Sequence, residues 1–157
     1  GDKDFTKEVI KELNAQTIFE KLKIKQGKTT SLYKTGSTYV LVLPGNPMAA
    51  MINFELVGKT LIRGLQNAKE RFLQPIRAKI SQNFIKKGKR DTAVLGKYDG
   101  EYFTPLVLQL PGMVKPMQSA NAYTLVKADS KQLQKDQTID VILLHHNIFS
   151  QKQKFLR

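Results

Sequence analysis

The patterning of the chain changes once, near residues 67–75, and that change limits what the chain can fold into. Beyond it, residues 76–80, 92–96, 102–110, 122–127 and 138–144 each alternate apolar with polar side chains. Turn residues separate them: Lys87-Gly88, Asp99-Gly100, Pro111-Gly112 and Ala128-Asp129-Ser130. Short strands at this spacing, with no helix between them, bury their apolar faces only by closing on one another as a small barrel or sandwich. Before the break the pattern is mixed. The expected organisation is therefore an α/β unit over residues 1–70, a small β domain over 74–148, and a basic tail over 149–157.

In the first unit, residues 4–13 place Phe5, Val9, Ile10 and Leu13 on one helical face. Residues 17–24 alternate as a strand with a basic end, which would put Lys21, Lys23 and Lys25 on one face. Gln26-Gly27-Lys28 reads as a turn, Leu32-Tyr33 as a weak strand, and Lys34-Thr35-Gly36-Ser37 as a hairpin turn into a buried strand over 38–43. Leu43-Pro44-Gly45-Asn46-Pro47 then leads into a long helix over 47–66, striped by Met48, Met51, Ile52, Leu56, Leu61, Ile62 and Leu65. Asn46 is a good N-cap and Pro47 a good first helical residue. Such a strand-to-helix turn aims N–H groups and a positive dipole end at an anion, and Gly45 lets a ligand approach closely. An α/β half of this size, if its strands run parallel, leaves a sheet edge and a face uncovered. On that ground the chain reads as part of a longer protein.

The apolar share of 41% suits a globular protein, and no apolar run is long enough to span a membrane. With zero Cys, disulfides and thiolate metal sites are excluded, which favours a cytoplasmic setting. The net charge of +13 divides into +5 over residues 1–73 and +8 over 74–157. A surface this basic suits phosphorylated small molecules or polyanions.

Three motifs in register then resemble a known family. Gly1-Asp2-Lys3-Asp4-Phe5 before a helix, Lys21 with Lys25-Gln26-Gly27-Lys28, and Leu43-Pro44-Gly45-Asn46-Pro47 are similar to the C-terminal part of the molybdopterin molybdenumtransferases, the MoeA proteins and the gephyrin E domain. Ser119-Ala120-Asn121-Ala122 resembles a segment of that family's small β domain. The resemblance implies insertion of molybdate into adenylylated molybdopterin with release of AMP, a Mg²⁺ requirement, and a homodimer. It implies that Asp4, Lys21, Lys25 and Lys28 serve catalysis, that Asp2 and Asp4 hold the metal, and that Pro44, Gly45, Asn46, Pro47 and Lys89 bind substrate. The sequence departs from the family where Gln26 and Thr29 stand in place of prolines, where Ala49 lacks a hydroxyl, and where Lys89 replaces an arginine. Losing both prolines predicts a looser loop.

Two other readings fit the same sequence. A basic nucleic-acid-binding β module would bind with steep salt dependence. A non-catalytic scaffold would share the fold without the chemistry. Lys86-Lys87-Gly88-Lys89-Arg90 lacks interleaved aromatics and reads as a solvated hairpin end. His145-His146 would point to opposite faces of a strand, which disfavours a metal site.

Overall fold

A two-residue turn organises the first unit. Gly36 takes φ 55, and Thr35 pairs directly with Thr38. A Cβ is disfavoured at that φ, and the left-handed turn matches the twist of the strands it joins. The computed structural model describes residues 5–107, 109 and 112–144. Asp2, Asp4, His145 and His146 lie outside them. Helix α1 (Thr6–Glu12) precedes strands β1 (Gln16–Glu20), β2 (Ser31–Thr35) and β3 (Thr38–Val42). The three form an antiparallel sheet in the order β1-β2-β3.

Three sequence expectations change here. The strands are antiparallel, so the covering demanded of a parallel sheet does not apply. The segment expected to be weak, Leu32-Tyr33, belongs to the full-length central strand and is the sheet's buried part, while β3 is only half-buried at an edge. The strand expected over residues 17–24 stops at Glu20, because Lys21 takes φ 66 and turns the chain away. Lys21, Lys23 and Lys25 therefore share no strand face. A 3₁₀ turn, Lys25–Gly27, comes next instead.

The long helix begins as expected. Asn46 caps α2 (Pro47–Asn53) by accepting the Ala49 N–H at 3.1 Å. A π-helical turn over Phe54–Gly58 then separates α2 from α3 (Lys59–Leu65). A π turn widens the residue spacing and rotates the helix beyond it, so a stripe drawn at 3.6 residues per turn loses its register. Met48 and Ile52 are buried, whereas Ile62 and Leu65 face outward. Gly58 leaves room for the Phe54 ring, which a Cβ would meet at 2.5 Å.

Residues 66–75 carry no helix or strand. Strands β4 (Ile76–Ile80), β6 (Thr92–Tyr98), β7 (Tyr102–Pro105), β8 (Ala122–Val126) and β10 (Thr138–Leu143) close as a barrel in the order β10-β4-β7-β6-β8. Within it only β4 and β7 pair in parallel. A small ribbon of β5 (Phe84–Ile85) with β9 (Gln132–Leu133) adjoins it. Helix α4 (Lys115–Ser119) lies between β7 and β8, where no helix was expected. Proline at its start suits a first turn, and so short a helix leaves little periodicity to read. Gly88 and Gly100 take φ 95 and 103, so those two turn signals hold.

The alternation places Ala78, Ile80, Val94, Tyr98, Phe103, Ala122, Val126, Ile139 and Val141 in the barrel core with Leu133. The outward residues Ala93, Leu95 and Tyr123 are buried as well, under Met48 and Ile52 of α2. The two units therefore share one apolar seam. Gly96 makes space for Phe103, since a Cβ there would meet the ring at 2.3 Å and the Thr104 carbonyl at 2.6 Å. Gly96→Ala is expected to cost about 2–3 kcal/mol of unfolding free energy, measured by urea denaturation.

Candidate functional site

The seam leaves a cleft of about 480 Å³ between the α/β unit and the barrel. From the first unit come Lys25, Lys28, Pro44 and Asn46; from the barrel side come Lys86, Lys87, Phe84 and Gln109. The structure thus brings together two of the expected catalytic lysines and two of the expected substrate-binding residues. Lys21, Gly45, Pro47 and Lys89 do not line this cleft. Lys21 is exposed, and its N–H is held by the Thr30 carbonyl at 2.8 Å. Lys89 is exposed on the barrel loop. A Cβ on Gly45 would meet nothing within 4 Å, so the glycine is not required by packing.

The Lys25–Gly27 turn is fastened on two sides. Toward the barrel, Gln26 Nε2 donates to the Ala93 carbonyl at 2.9 Å, and Ala93 N–H donates back to Gln26 Oε1 at 3.1 Å. Lys25 N–H also donates to the Asp91 carbonyl at 2.7 Å. Toward the helix, Asn53 Nδ2 donates to the Gln26 carbonyl at 2.8 Å and to the Ala49 carbonyl at 2.6 Å. Gly27 is packed so closely that a Cβ would meet Leu22 at 2.6 Å and Ile24 at 2.9 Å. A glutamine side chain thus ties the loop, which is not the looser loop expected from the sequence.

The expected solvated hairpin end holds for residues 87–90, which are exposed, but not for Lys86. Lys86 is 7% exposed, and its ammonium donates to the carbonyls of Gly88 and Arg90 at 3.0 Å and of Ala128 at 3.3 Å. A buried charge is tolerable only when its donors are satisfied, and three carbonyls match three N–H groups. Lys87 beside it is exposed. Asp91 closes the same loop by accepting the Ala128 N–H at 2.7 Å and pairing with Lys127 at 3.3 Å. The Ala128 N–H is foremost in holding the Asp91 carboxyl below its ordinary 3.8; desolvation opposes it, and Lys127 and Lys86 add to it. Within the seam, the Tyr123 hydroxyl is buried and has no hydrogen-bond partner among the described residues. Burial pushes its ionisation far above the phenolic range, and the charge on Glu55 adds to that. It is therefore a neutral packing group.

Sequence reasoning did not single out Gln26 or Lys86 as anchoring groups. A glutamine beside glycine in a basic loop carries no spacing signal, and one lysine of a cluster looks like any other until the barrel closes over it. Among the described residues no group of three or more His, Asp or Glu side chains gathers in a way that could hold a metal ion.

Residues 1–64 match a family model described as a probable molybdopterin binding domain, and residues 77–144 match one described as the MoeA C-terminal region (domain IV). The molybdopterin molybdenumtransferase of Staphylococcus epidermidis is 29% identical over 157 residues, covering 97% of this chain and 37% of that protein. The Staphylococcus aureus protein of the same name is 27% identical over 147 residues, covering 91% of this chain and 35% of that one. This chain therefore spans a little over a third of the length of the curated relatives it matches. A molybdopterin biosynthesis moeA protein from Pyrococcus horikoshii superposes with a TM-score of 0.75 at 22% identity, over 89% of this chain and 34% of that one. At that identity the likeness speaks for the fold alone.

Two outcomes test the barrel wall. Lys86→Met, leaving three carbonyls without a donor, is expected to cost about 2–3 kcal/mol in urea denaturation, while Lys87→Ala stays within about 0.5 kcal/mol. Because the native carboxyl of Asp91 is depressed, its stabilisation is present above pH 3.8 and is lost as pH falls through the native value. The stability difference between wild type and Asp91→Asn should therefore shrink progressively below that pH in acid-unfolding curves.

Proposed function

Since this chain belongs to the MoeA family, its barrel matching that family's C-terminal region, we propose that it carries part of the substrate site of a molybdenum cofactor-synthesising enzyme. The observation that carries this reading is the meeting of Lys25, Lys28, Pro44 and Asn46 at one cleft, although they lie on separate segments of the chain. The proposed reaction of the whole protein is insertion of molybdate into adenylylated molybdopterin with release of AMP. Both substrates are anions. Two ammonium groups on one turn lower the cost of bringing such anions together and of the charge that develops between them.

The cleft also has apolar wall residues, Met48, Phe84, Val94 and Leu106, against which a flat heterocycle can lie while its phosphates face the lysines. In this reading Asn46 contributes chiefly by fixing the start of α2, since its Oδ1 already holds the Ala49 N–H. Lys21, Gly45, Pro47 and Lys89 are left as flanking positions. Mg²⁺ and a homodimer belong to the proposal for the whole protein. The described residues do not themselves assemble a Mg²⁺ site, and Asp2 and Asp4, proposed as its ligands, lie outside them. No step is derived through the metal.

In the full-length protein, Lys25→Ala and Lys28→Ala are each expected to lower cofactor synthesis by at least about tenfold. Both side chains are exposed, so the thermal midpoint should not move. Unchanged turnover in both variants defeats the assignment.

A further inference from the structure

The ammonium groups of Lys25 and Lys28 take part in no ion pair among the described residues, and both side chains are exposed. Where they stand is therefore set by the backbone turn that carries them. That turn reaches the barrel at the edge of β6. Strand β7 pairs with β6 only from Gly96 to Tyr98; just beyond it the Leu106 N–H still reaches the Leu95 carbonyl at 2.9 Å, which leaves the N–H of Leu95 and both backbone groups of Ala93 without a partner from that strand. Gln26 fills the place at Ala93 through two bonds of 2.9 and 3.1 Å. Two residues further along, Gln109 accepts the Leu95 N–H at 2.8 Å and donates to the Leu95 carbonyl at 3.0 Å, sharing that carbonyl with the Leu106 N–H. A glutamine amide carries one donor face and one acceptor, like a peptide group, so each side chain completes a piece of sheet edge.

We infer that Gln26 is a positioning residue: by imitating a neighbouring strand at Ala93 it fixes the cationic turn to the barrel and sets where Lys25 and Lys28 present their charge. The inference rests on the reading of the cleft as the substrate site. Gln26 is suited to this because its own backbone is tied the other way, its carbonyl accepting from Asn53 of α2 at 2.8 Å. One residue thus joins helix, turn and barrel. Gly27, which tolerates no Cβ, keeps the turn close enough for the side chain to reach. Removing the amide would leave the Ala93 N–H and C=O exposed at the cleft wall and leave the turn held there by the Lys25 N–H bond to the Asp91 carbonyl, one residue to the N-terminal side.

The test uses the full-length protein and two readouts. Hydrogen exchange at Ala93 and over residues 24–28 is expected to speed up about tenfold or more in Gln26→Ala, with protection elsewhere in the barrel unchanged. Gln26→Glu keeps the acceptor for the Ala93 N–H but sets a carboxylate oxygen against the Ala93 carbonyl, and should loosen the turn without truncating the side chain. Kinetically, Gln26→Ala should raise KM about tenfold with a smaller change in kcat. In a Lys25→Ala/Lys28→Ala background the same substitution should change KM less than about threefold, because its effect runs through the two lysines. Unchanged exchange in both variants overturns the inference whatever the kinetics show. Faster exchange with an equal KM penalty in both backgrounds also overturns it, reducing Gln26 to a stabilising contact. If Lys25→Ala/Lys28→Ala itself has no kinetic effect, the substrate reading fails, and that failure is separable because exchange is measured without substrate.

Discussion

Burial of strand β6 on both of its faces is the constraint on which the rest of the structure depends. Val94 and Tyr98 point into the barrel, while Ala93 and Leu95 point out and are covered by Met48 and Ile52 of α2. An outward face of this kind would leave an ordinary small barrel with an exposed apolar patch. Here it becomes the floor on which the α/β unit rests. Fully burying each aliphatic side chain contributes about 1.5–3 kcal/mol, so the seam binds the units more firmly than the few hydrogen bonds beside it. The cleft exists because the seam covers only part of the facing surfaces. Met48 and Ala93 belong both to the seam and to the cleft lining, so the packing that joins the units also shapes the cleft wall.

Legibility in the sequence tracked the range of the interaction. The barrel was legible because alternation is local: each of its strands declares one inward face, and Gly88 and Gly100 mark turns through positive φ. The cap at Asn46 was legible for the same reason, its donor lying three residues away. The π turn over Phe54–Gly58 was not, because it depends on fitting the Phe54 ring over Gly58 and on the packing of the helix beyond. A helical stripe drawn through it holds for Ile52 and fails by Ile62. The end of β1 was missed because Lys21 adopts positive φ, which lysine does not advertise.

The site shows the same division. Motif order pointed to Lys25, Lys28, Pro44 and Asn46, and these share a cleft. What steadies them came from contacts across long separations: Gln26 with Ala93, 67 positions on, and Lys86 with Ala128, 42 positions on. No spacing rule connects such pairs. The basic run at Lys86–Arg90 also illustrates how one composition serves two purposes. Lys86 uses its charge inward to hold a loop together, and Lys87 leaves its charge in water.

The parallel pairing of β4 with β7 has a consequence for how the molecule assembles. Neighbouring antiparallel strands can zip from a short turn, but β4 finds its two partners only far along the chain, at β7 and at β10. Closure must therefore wait for distant pairings, which carry a large loop-closure entropy and slow the search. During synthesis the apolar face of α2 appears before β6 and β8, the strands that shelter it. A nascent chain of this design passes through a stage in which Met48 and Ile52 have no cover. Apolar surface exposed in that interval is where a chain of this design is open to aggregation.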